Sequence, residues 1–143
     1  MPMDLKENKD LKEDYKNKRF KNRSFIRSLG FASEGILFTF KHERNFRFQT
    51  ASLFLVVCLA LLLKIKRLEF IILLFCCLMV MACEMINTCF EWMVDLTTNY
   101  QYHPIAKHIK DVAAGLVLLT SIFSVVIGII IFTPYLLALL FKI

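Results

Sequence analysis

The sequence predicts an all-α integral membrane protein, with an N-terminal surface helix followed by three transmembrane helices. Three observations point there. Of the 143 residues, 57% are hydrophobic, more than a soluble domain of this size carries. The apolar residues fall into three blocks separated by polar stretches, each long enough to be read as a membrane span. The cations are concentrated too: twelve of the eighteen Lys and Arg precede Phe48. That bias places the N-terminus in the cytoplasm, the Lys64–Arg67 turn outside, the loop after the second span in the cytoplasm and the C-terminus outside. Seven acids are interleaved with the basic N-terminal region, so attraction to anionic headgroups is a better reading than nucleic-acid binding.

Residues 1–23 are highly charged with little apolar periodicity and form an expected disordered cytoplasmic leader. The first 47 residues are mostly polar, so no cleaved leader is expected and the membrane segments themselves direct insertion. Residues 24–143 form one membrane domain. Across 24–40, Phe25, Leu29, Ala32, Ile36 and Phe40 recur every three or four residues, the pattern of an amphipathic helix lying in the membrane interface. Lys41 to Arg47 reads as a short polar link. The first span is expected over about 48–64 and the second over 68–95, joined by a tight turn that makes them antiparallel neighbours. The loop 96–110 contains Pro104, expected to break any helix there. The third span is expected from about Asp111 to 133. Its apolar run continues to Phe141, about 45 Å at 1.5 Å per residue, and Pro134 is expected to end or kink it. Ala114, Ser121 and Gly128 recur every seven residues, a small-residue stripe suited to close helix packing. The five cysteines all lie in apolar blocks with no zinc-site spacing and are read as packing residues.

Inside the second block, Glu84, Asn87, Glu91 and Asp95 recur about one turn apart. At about 100° per residue they share a sector of roughly 80° on one helix face. A carboxylate in a spanning helix costs about 2.5–3.5 kcal/mol on insertion scales, so such residues mark a functional site. From the residues alone three uses stay open: hard-oxygen ligation of a divalent cation, general-base catalysis on a hydroxyl, and proton relay in a transporter. A packing device in a non-catalytic membrane adaptor is a fourth. Lys110 and Asp111 open the third span, where a helix N-terminus with a lysine suits phosphate; taken alone, a plain cap and a snorkelling lysine are the simpler account of them. No glycine-rich phosphate loop is present.

The run Glu84-Met85-Ile86-Asn87-Thr88-Cys89-Phe90-Glu91, then Asp95, then His103-Pro104-Ile105-Ala106-Lys107-His108-Ile109-Lys110-Asp111-Val112-Ala113-Ala114-Gly115, resembles the signature of the prokaryotic diacylglycerol kinase family. Gly35 to Arg47, with Glu43-Arg44-Asn45, resembles the same family's membrane-surface segment. The resemblance covers about residues 24–132. It implies a homotrimeric lipid kinase of the bacterial inner membrane, with active sites between subunits and the γ-phosphate of MgATP passing to a lipid hydroxyl. By motif position, it implies Glu84 as the general base against the lipid substrate, and Glu43 with Glu91 as magnesium ligands. Asn87 and Asp95 order that site, Lys110 and Asp111 contact the nucleotide, and Tyr102 and His103 lie against it. The loop form from His103 to Gly115 resembles the Gram-positive branch, which implies undecaprenol as the acceptor, with diacylglycerol as the alternative.

Overall fold

The computed structural model describes residues 25–141; the charged leader lies outside them. Four helices follow in order: α1 Phe25–His42, α2 Arg44–Leu62, α3 Arg67–Thr98 and α4 Pro104–Phe141. The last three are long and apolar enough to cross a membrane. Among the described residues there is no strand, as expected where every backbone group in lipid must be satisfied within its own segment. The described residues divide into two units, 25–37 and 38–141. In the first, α1 runs unbroken to Leu37, with Phe25, Leu29 and Ile36 of its apolar line exposed.

The polar link expected over 41–47 shrinks to Glu43 alone, which is extended (φ −97°, ψ 116°) between α1 and α2. Polarity does not stop a helix; only the backbone preferences of residues such as Gly and Pro do so strongly, and 41–47 has neither. The exposed carbonyls at the end of α1 are served by Arg47, whose Nη1 donates to the Lys41 carbonyl at 2.8 Å and to that of Phe40 at 3.4 Å. Orphan carbonyls at a helix end attract such a cation.

The turn between α2 and α3 is tight, as expected. Lys64 takes a left-handed φ of 51°, and the Ile65 N–H returns to the Ala60 carbonyl at 3.2 Å. Glu69 then accepts from the Lys66 N–H at 3.3 Å, closing the first turn of α3. The same carboxylate accepts from the Tyr135 hydroxyl at 2.5 Å. Tyr135 follows Pro134, and of the expected end or kink there the end is corrected, because α4 continues through Pro134 to Phe141. Proline forfeits one backbone hydrogen bond, but unwinding an apolar segment in lipid forfeits several. Its far end is instead fastened to the α2–α3 turn.

At the other end, the expected loop 96–110 contracts to Asn99–His103, because α3 runs on to Thr98 and α4 starts at Pro104 rather than Asp111. Asn99 and Tyr100 both have left-handed φ values, 50° and 59°, which reverse the chain. As expected, no helix runs through Pro104; it starts α4, since its fixed φ suits the first helical position, where an N–H has no partner anyway. His103 Nδ1 accepts from the Ile105 N–H at 3.2 Å and caps the helix.

Helix α3 is the centre of the bundle and packs on both α2 and α4. Its buried residues Leu73, Val80, Asn87 and Val94 recur every seven positions, the period that keeps one seam of a helix against its neighbours. Ser124 of α4 reaches the Cys76 carbonyl at 3.4 Å across the α3–α4 contact. Helix α4 buries none of its residues. The small-residue stripe Ala114, Ser121 and Gly128 accordingly does not serve close packing within the chain; it lines an open groove, and a Cβ added at Gly128 meets nothing within 4 Å. Of the cysteines, Cys83 alone is buried, while Cys58 and Cys89 are exposed.

Ala60 is 2% exposed where α2 enters the turn. Overpacking such a position costs about 1–3 kcal/mol, so Ala60→Leu is expected to lower the thermal midpoint in micelles, measured by circular dichroism.

Candidate active site

Glu84 is the most deeply buried large side chain among the described residues, at 2% exposure. Its place follows from the seam of α3: it neighbours Cys83 and stands one turn from Val80, Asn87 and Thr88, all buried. An ionisable carboxyl in such surroundings requires polar partners. Helix α2 supplies them. Gln49 Nε2 donates to Glu84 Oε2 at 3.3 Å, and the Asn45 amide, one turn earlier, also stands against the carboxyl. Glu43, at the α1–α2 break, and Glu91, two turns further along α3, are near enough to act on Glu84 electrostatically. Thr88 Oγ1 donates to the Glu84 carbonyl at 3.0 Å.

A second amide–carboxylate pair repeats the pattern: Asn87 Nδ2 donates to Glu91 Oε1 at 3.0 Å. In both pairs the amide oxygen, Gln49 Oε1 and Asn87 Oδ1, is buried without a partner. A buried unsatisfied acceptor costs about 1–3 kcal/mol.

These groups form one end of a groove of about 820 Å³ between α2, α3 and α4. Asn45, Gln49, Glu84, Asn87 and Glu91 line that end, and the rest is mainly apolar, reaching Leu59, Leu73 and Leu136. From Glu84 to Leu73 is eleven residues along α3, about 16 Å at 1.5 Å per residue. A polar head with a long greasy channel below it fits an amphiphile with one reactive polar group.

The expected site residues separate into three groups. Glu84, Asn87 and Glu91 meet at the head of the groove, with Glu43 beside them. Asp95, the last member of the α3 stripe, turns instead to Lys110, forming an ion pair across the α3–α4 loop at 2.5 Å with both side chains about a third exposed. His103 caps α4, while Tyr102 and Asp111 are exposed and are not drawn to the groove. Among the described residues, no three acidic, His or Cys side chains cluster as a metal centre. The donors present are carboxylate oxygens, the type Mg²⁺ prefers, and Mg²⁺ commonly takes only one or two protein carboxylates with phosphate oxygens and water completing its shell. Glu43 and Glu91 carry donors of that type.

Asn45 and Gln49 are absent from the sequence-based expectation. A first span beginning at Phe48 leaves Asn45 in a link and Gln49 at a membrane surface. The signal was present in their spacing: two amides four residues apart share one helix face, and once α2 begins at Arg44 that face looks at α3.

Residues 30–132 match the family described as prokaryotic diacylglycerol kinase. The chain is 38% identical over 113 residues to a protein of Synechocystis named diacylglycerol kinase, covering 79% of this chain and 65% of that one. It thus spans slightly under two thirds of that relative's length. It is 36% identical over 121 residues to the undecaprenol kinase of Bacillus subtilis, covering 85% of this chain and 98% of the relative. A diacylglycerol kinase of Pseudomonas aeruginosa is 29% identical over 102 residues, 70% of this chain and 82% of that one. A motif-bearing spanning helix, a buried carboxylate at the head of an apolar groove and a family match over most of the chain agree: the chain belongs to the prokaryotic diacylglycerol kinase family, a family of lipid kinases.

Proposed function

We propose that this lipid kinase transfers the γ-phosphate of MgATP to the terminal hydroxyl of undecaprenol, at the cytoplasmic face of the bacterial inner membrane. The observation that carries the reading is Glu84, buried at the polar head of a long apolar groove. A lipid laid along the groove brings its hydroxyl to the one deeply buried carboxylate among the described residues. Glu84 is the general base: its oxygen takes the hydroxyl proton as the lipid oxygen attacks the γ-phosphorus, and ADP leaves with the bridging oxygen. Phosphoryl transfer depends on positioning and charge neutralisation more than on covalent work by the protein, so the lack of a glycine-rich loop is no obstacle.

Glu43 and Glu91 hold magnesium, which neutralises charge on the ATP phosphates when bound. Asn87 fixes Glu91 through its hydrogen bond. Asp95 orders the nucleotide end through Lys110, which it holds by an ion pair; Lys110 and Asp111 face the phosphates, with Tyr102 and His103 against the nucleotide. Helix α1 lies in the membrane interface, and the N-terminus is cytoplasmic. The working unit is a homotrimer, in which neighbouring copies and lipid cover the faces of α4 that bury nothing within the chain.

The choice of undecaprenol is supported by the Bacillus subtilis relative, 98% of whose length is matched. Diacylglycerol is the second reading, favoured by the higher identity, 38%, to the Synechocystis diacylglycerol kinase. Transfer from radiolabelled MgATP in mixed micelles, with both lipids offered side by side, decides between them; labelled undecaprenyl phosphate as the dominant product is the expected result. A folded protein that labels neither lipid removes the kinase assignment.

Glu84→Gln keeps the size of the side chain but cannot accept the proton. It is expected to lower kcat by about 10²–10⁴, the usual contribution of a general base, with an unchanged size-exclusion profile. Glu91→Ala is expected to raise the magnesium concentration needed for half-maximal activity, read from a magnesium titration at saturating ATP; an unaltered titration curve removes Glu91 from the metal site.

A further inference from the structure

We propose that Gln49, with Asn45 one turn before it, is a positioning residue for the base: its Nε2 holds one oxygen of Glu84 so that the other faces the hydroxyl to be phosphorylated. This rests on the assignment of Glu84 as the base and adds to it the residue that orients it.

The geometry begins with the amide. A primary amide has a donating and an accepting end, whereas an ionised carboxylate only accepts. Contact with Glu84 Oε2 at 3.3 Å therefore fixes which way round the Gln49 amide sits. That orientation leaves Gln49 Oε1 buried with no partner. A side chain present only for packing has no reason to keep such an atom; a methionine of similar length fills the space without one. The orphaned oxygen is thus the cost of placing an N–H on the base, and natural structures tolerate such costs at sites where function demands the arrangement.

The contact is also placed where it matters. Glu84 hangs from α3 on a flexible side chain, in a groove open along much of its length. Gln49 belongs to a different helix, so the bond ties the reactive carboxylate to α2 and restrains its rotation. Misplacement of a reacting group by a fraction of its length costs rate more than binding. The signature of this role is a fall in kcat without a matching change in KM for MgATP.

The test uses the full-length protein in mixed micelles, with the lipid that the wild type phosphorylates. For wild type, Glu84→Gln, Gln49→Met and Gln49→Glu, kcat, KM for MgATP and the thermal midpoint are measured. Gln49→Met is expected to lower kcat about 10- to 100-fold, part of what a well-placed base supplies, with KM for MgATP within about twofold; the buried Glu84 loses a partner, so a somewhat lower thermal midpoint accompanies it. Gln49→Glu keeps length and shape but sets a second carboxyl against Glu84, so that the two share a proton that occupies the base, and is expected to lose as much kcat. A folded Gln49→Met protein with kcat within about twofold of wild type, or one whose KM for MgATP rises as much as its kcat falls, overturns the proposal. A folded Gln49→Glu protein with kcat within about twofold of wild type overturns it independently. In both cases the kinase assignment stands, because wild type still transfers phosphate. An active Glu84→Gln protein overturns the base assignment and this proposal together, and so does a wild type that transfers nothing.

Discussion

A carboxylate buried in the middle helix of a membrane bundle is the constraint around which the rest of the chain is arranged. Glu84 is almost completely enclosed, and an ionisable group in apolar surroundings persists only where other polar groups meet it. Those groups come from α2, so α2 must begin early enough to carry Asn45 and Gln49 onto the α3 contact. Its start at Arg44 requires α1 to end at His42, and Arg47 caps the end so formed. The break at Glu43 is thus part of the same arrangement: it delivers a third carboxylate beside the buried one.

How far the sequence discloses this structure can be argued residue by residue. The three spans and the helix before them are legible because hydrophobic blocks and helical spacing are strong signals over fifteen or more residues. The stripe Glu84, Asn87, Glu91 is legible for the same reason in reverse: polar residues in an apolar helix stand out. Helix ends are less legible. Pro104 and Pro134 carry the same side chain, yet one starts a helix and the other sits within it. What distinguishes them is context: a capping histidine before Pro104, and apolar sequence with a distant tyrosine tie after Pro134. The shared face of Asn45 and Gln49 is legible in their spacing, but their role depends on which helix lies opposite, and no local pattern records that. Asp95 shares the stripe's spacing but pairs with Lys110, since the stripe outruns the groove and meets the loop.

The two amide–carboxylate pairs repeat one arrangement. Both keep an acid on α3 in a set orientation, and both leave an amide oxygen unmatched. Stability alone would favour filling these positions with apolar side chains. Their presence fits the pattern in which a site departs from locally optimal chemistry and the surrounding scaffold carries the deficit. Here the scaffold is the seven-residue seam of α3, which continues on either side of the polar cluster through Val80 and Val94.

Helix α4 buries no residue against the rest of the chain, and this makes the surrounding medium a thermodynamic component of the fold. Whatever lies on α4, be it acyl chains, detergent or another copy, is bound by the folded state and released or rearranged when the helices separate. Mass action then links the folding equilibrium to the activity of that component. For this chain a stability without a stated lipid composition and a stated ratio of protein to amphiphile is an incomplete quantity, in the way that a DNA affinity without its salt concentration is.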